Sequence, residues 1–116
     1  MNFQTYPTVD LFRSVYLDPS RLFGLTPRIF QSFSAIMDFK KLLKQEPCFK
    51  ALFVSFQSDV VEFWVAIQPN DYFARDKIID YEQEIRNQYS QKKFVFNILA
   101  ASKEDLQMVP KKNIPV

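Results

Sequence analysis

The residues whose type and spacing best suit acids, bases or metal ligands lie in three places. Asp76, Asp80 and Glu84 are spaced four apart, Glu62 stands alone two residues before Trp64, and Cys48 follows Pro47. Carboxylates at i, i+4 and i+8 share one side of a helix, and hard divalent cations want several oxygens. This row, however, projects nearly opposite the apolar stripe of its own helix, towards solvent. No second element brings another oxygen ligand, so the row reads as a solvated face. Glu62 is the better single candidate for acid–base work, which needs a cleft that raises a carboxyl pKa. A lone glutamate in a strand reads first as a surface or edge residue. Cys48 has only Lys50 as a cationic neighbour in sequence, and reads as a small buried hydrophobe.

Two absences bear on the chemistry. The chain has no histidine and a single glycine, Gly24. Without histidine there is no Ser-His or Cys-His pair and no imidazole metal ligand. Without glycine clusters there is no phosphate-cradling loop. The expectation is a protein without a catalytic site, metal or cofactor.

The elements that position these residues follow from caps and periodicity. Residues 1–25 read as an N-terminal arm, with Asp18-Pro19 starting a short turn that Gly24 closes. Thr26-Pro27 starts a first long helix, running to about Gln45 because Pro47 disfavours helix before it. Ile29, Phe33, Ile36 and Leu43 make its stripe, widened by Phe30 and Met37. Residues 50–57 and 60–68 read as two strands of a hairpin separated by Ser58-Asp59. Pro69-Asn70-Asp71 caps a second long helix, on which Ala74, Ile78, Tyr81, Ile85 and Tyr89 share one side. Residues 93–100 form a third strand, and Ser102 caps one last turn. Pro110 and Pro115 make the end extended and loose.

The implied fold class is α+β. It is a small three-stranded mixed sheet in the order α-β-β-α-β, with both long helices on one face and an N-terminal arm. The core is residues 26–101, and residues 102–116 form a C-terminal tail. The strand–helix–strand unit crosses over right-handed and leaves its strands parallel. The element order resembles that of small nucleotidyltransferase cores, but their Gly-Ser and Asp-x-Asp motifs are missing. Here Phe56-Gln57-Ser58-Asp59 and a lone Glu62 stand in their places, so that activity is not carried over.

Alternation along the strands assigns two faces. Leu52, Val54, Phe56, Val61, Phe63, Val65, Ile67, Phe94, Phe96 and Ile98 should meet the helices. The opposite face carries Phe53, Glu62, Trp64 and Leu99, and is less polar than a solvated face should be. Either the N-terminal arm covers it, or a second copy or another protein does. Phe73 and Ile79 fall off their helix's core stripe and extend the candidate interface.

Composition agrees with this picture. The chain has 116 residues, 47% hydrophobic and 16% aromatic, with 13 phenylalanines. That suits one globular domain with more apolar surface than a single core needs. The net charge of +2 is too slight to imply nucleic acid, though an aromatic sheet face with lysines leaves RNA as a second reading. A third reading, a small enzyme or metal site, rests on the acidic residues alone. One cysteine, no signal-peptide pattern and no long apolar run point to the cytoplasm and away from membranes. The expected function is a non-catalytic protein-interaction module, a homo-oligomer or the partner of another protein.

Overall fold

The structure is a computed structural model and describes residues 27–57 and 60–116. The expected arm at residues 1–25 lies outside the described residues, as do Ser58 and Asp59. The chain forms α1 (Pro27–Leu43), β1 (Phe49–Gln57), β2 (Val60–Ile67), α2 (Tyr72–Gln88), β3 (Lys93–Ala100), α3 (Lys103–Leu106) and β4 (Ile114–Pro115). This is a mixed α+β arrangement around one sheet, ordered β3-β2-β1-β4. β1 pairs antiparallel with β2 and β4, while β2 and β3 are parallel. The parallel pair requires the crossover that α2 supplies.

The described sheet has four strands, not the three expected from sequence, and three helices accompany it. The fourth strand comes from the tail expected to be loose. Ile114 pairs with Val54 and Pro115 with Phe53, and the Val116 N–H donates to the Leu52 carbonyl at 3.0 Å. The cause is Ile114, which is buried and joins the core. A proline is tolerated beside it because β4 is an edge strand, where one N–H can be spared.

The core lies between one sheet face and the two long helices. Phe33, Ile36, Phe39 and Leu43 of α1 and Ile78 and Ile85 of α2 are buried there with the inward residues of β1 and β2. Phe39 stands at its centre, with ring centroids 4.7 Å from Phe63 and 5.2 Å from Phe96 in edge-to-face geometry. Phe63 stacks on Phe94 and Phe96, its neighbours on the helix-facing side of the sheet. The Arg86 guanidinium covers the Phe96 ring at 4.8 Å and donates to the Phe94 carbonyl at 3.2 Å. It thus seals the α2 side of this cluster with a cation–π contact.

The stripe of α1 differs from the expected one. Phe30 and Met37 do not widen it but are exposed, at 46% and 45%. At 100° per residue they lie well round the helix from the side marked by Ile36, Phe39 and Leu43. Polar contacts tie α1 and its C-terminal turn to α2. Tyr89 donates its hydroxyl to Asp38, Gln88 donates to Asp38 at 3.2 Å, and Tyr81 donates to Glu46 at 2.9 Å. Asp38 and Glu46 ascend the chain while Tyr89 and Tyr81 descend it, so the two helices run antiparallel.

Candidate functional site

The expected interface residues of the sheet share one face. Register places Ser55, Glu62 and Val95 in one row, Phe53, Trp64 and Asn97 in the next, and Ala51, Ala66 and Leu99 in a third. Phe53 and Trp64 are therefore direct cross-strand partners. Leu99 stands one row further on, opposite Ala66, with Asn97 beside Trp64. Phe53, Trp64 and Leu99 are each half-buried, whereas Val95 is exposed at 43%.

Glu62 organises the β1 side of this face. Its Oε1 accepts the Trp64 indole N–H at 2.9 Å and the Asn113 side-chain amide at 3.0 Å. Lys112 lies 3.9 Å from its Oε2. Asn113 immediately precedes β4 and also donates to the Pro110 carbonyl at 3.2 Å. The carboxylate thus fastens the C-terminal segment over the β1–β2 half of the face. Charge-assisted hydrogen bonds of this kind are the stronger ones, and they commit the carboxylate to its own chain. The part towards β3 receives no such strap among the described residues. Asn97 there donates to the Phe63 carbonyl at 3.2 Å.

The remaining candidate residues lie apart. Phe73 is exposed at 89% and Ile79 at 49%, on different sides of α2. Asp76, Asp80 and Glu84 are exposed on its outer side. Among the described residues no three of His, Cys, Asp or Glu are grouped to hold a metal ion. Cys48 is buried, and desolvation, followed by the charges of Asp71 and Glu46, pushes its thiol pKa up. A raised pKa leaves little thiolate, the reactive form.

Two depressions accompany these features. One of about 200 Å³ lies at the carboxyl ends of β2 and β3, lined by Ile67, Asn70, Asp71, Arg75 and Leu99 among others. That is where α/β sheets often take ligands. Here the Asp71 carboxylate already accepts the Ala74 N–H at 3.0 Å as the cap of α2. The other, about 250 Å³, runs along α1 between Ile36, Met37 and Lys40, Lys41 and Lys44. Both are smaller than usual small-molecule sites. No helix of the described residues is long and apolar enough to cross a membrane. The chain matches no known protein family, no curated protein and no solved structure.

Sequence reasoning found the shared face but missed the role of Glu62. Its partner Asn113 stands 51 residues away, so no local pattern could reveal the contact.

Proposed function

We propose that this chain is a small non-catalytic protein-interaction module that associates through the β3 side of its second sheet face. The observation behind this reading is Val95, a large apolar side chain at 43% exposure, in a strand at the end of the sheet. The half-buried Leu99 and Trp64 extend the apolar surface inward from it. Apolar surface of this kind, rimmed by polar groups, is characteristic of protein contacts. A catalytic reading gains less support. Glu62 is held by Trp64 and Asn113, and among the described residues no three of His, Cys, Asp or Glu are grouped to hold a metal ion. Base stacking also gains less, because a carboxylate stands in the middle of the face and engages the only tryptophan.

A photo-reactive residue at position 95 tests this. Irradiation in cells should give a discrete protein adduct from position 95 and none from position 83, where Gln83 is exposed on α2. The same diffuse background at both positions would sink the reading.

A further inference from the structure

The two edges of the sheet are built differently. At one edge β4 covers part of β1, Pro115 withholds a donor, and Lys50, Lys111 and Lys112 are exposed on or near it. These are the usual guards against strand-to-strand pairing. The other edge is β3. Its register with β2 runs unbroken from Lys93 to Ala100, with no bulge. From Phe94 to Ser102 the sequence holds no charge and no proline or glycine. Among the described residues no strand pairs with its outer side. Seven residues of this edge, Phe94 to Ala100, carry no charge, proline or bulge and meet no other strand on that side among the described residues, which makes them a template for another strand.

We infer that β3 pairs antiparallel with β3 of a second copy about a two-fold axis through Asn97, extending the two sheets into one. This rests on the interaction reading above and names its partner. The register follows from side-chain matching, because residues directly opposed in an antiparallel pair share a face. With the axis at Asn97, Val95 opposes Leu99 of the second copy on one face, and Phe96 opposes Ile98 on the other. Asn97 meets its own equivalent at the centre, where two amides can bond to each other. Shifting the axis one residue either way sets Asn97 against Val95 or Leu99 and buries an amide against an apolar chain.

Charge supports the same arrangement. Lys93 precedes the apolar run, and Glu104 and Asp105 follow it, with Lys103 between. The pairing sets Lys93 of one copy opposite Ala101 of the other, beside the start of α3, where Glu104 and Asp105 outweigh Lys103. A two-fold axis makes that contact twice.

The test combines mass with cross-linking. Light scattering across a concentration series should show a dimer. Val95→Lys should weaken it roughly tenfold or more, while thermal unfolding measured at concentrations where both proteins are monomeric stays unchanged, since Val95 is exposed. Asn97→Cys should give a disulfide-linked dimer on mild oxidation, because residues at the axis approach within disulfide reach. Val95→Cys alone should not, but should cross-link when mixed with Leu99→Cys. A dimer that survives Val95→Lys, with no cross-link from Asn97→Cys, overturns the pairing and leaves an interaction module using another surface. A monomer at every concentration also overturns it. In that case a photo-adduct from position 95 with a different protein would keep the module reading without the second copy.

Discussion

Asn113 donates its side-chain amide to the carboxylate of Glu62 at 3.0 Å and so holds the C-terminal segment against the sheet. The same carboxylate oxygen takes the Trp64 indole, which fixes its position from within β2. Replacing Asn113 with alanine removes two donated bonds, to Glu62 and to the Pro110 carbonyl. The expected cost is about 1–2 kcal/mol. A urea titration should show the midpoint falling, and protection of the Val116 amide should fall with it in hydrogen exchange. An unchanged midpoint would mean that β4 adds nothing to stability.

Phe39 and Phe73 are the same residue type with opposite roles. Phe39 is fully buried and touches Phe63 and Phe96, whereas Phe73 is 89% exposed. Phe39→Ala is expected to cost about 3–5 kcal/mol. That is enough to unfold a marginal domain. Phe73→Ser is expected to stay within about 0.5 kcal/mol of the parent. Comparable losses in thermal unfolding would overturn the assignment of the core.

Glu82 supplies a pH dependence. Burial raises its pKa above the ordinary 4.5, against the lowering influence of Arg86 and Arg75. The folded chain then holds this proton more tightly than the unfolded one. The group therefore opposes folding at neutral pH, and the penalty fades as pH falls through its raised value towards the ordinary one. Glu82→Gln should raise Tm at pH 7 and match the parent once pH falls below the ordinary glutamate range. A variant less stable at pH 7 would show that the arginines outweigh burial.

The tyrosines give the alkaline counterpart. Desolvation and the hydrogen bond to Asp38 raise the Tyr89 pKa, and burial and Glu46 raise that of Tyr81. Above the ordinary value of 10.0 the unfolded chain loses these protons and the folded chain keeps them. Stability should therefore drop as pH rises past that value. Tyr89→Phe should flatten the drop, at a cost near 1 kcal/mol at neutral pH for the lost bond. An equally steep alkaline decline in the variant would place its origin elsewhere.

The mixed α+β class and the long elements were legible because alternation and caps act over short spans. Val61, Phe63 and Val65 alternate cleanly, and the inward face they imply is the buried one. Thr26-Pro27 and Asp71 announced helix starts, and α1 and α2 begin beside them. The stripe of α1 was blurred because apolar residues occur around much of the helix. Phe33, Ile36, Phe39 and Leu43 carry the spacing, but Phe30 and Met37 compete with them in the sequence. β4 was hidden because two residues show no alternation, and its neighbouring prolines read as breakers. What it gains comes from Val54 and Glu62, far away in the chain. The candidate face was legible as apolar, but the fastening of the C-terminal segment to its β1–β2 half was not, because it depends on the contacts of Lys112, Asn113 and Ile114 with residues far away in the chain.

Trp64 is the one tryptophan of the chain, and its indole N–H is bonded to the residue that anchors the C-terminal strap. Its emission therefore carries an optical signal for that strap. Loosening Asn113 from Glu62 would admit water to a half-buried indole and shift the fluorescence to longer wavelength. The detachment of the C-terminal strap can thus be timed in stopped flow without any label, separately from the collapse of the phenylalanine core.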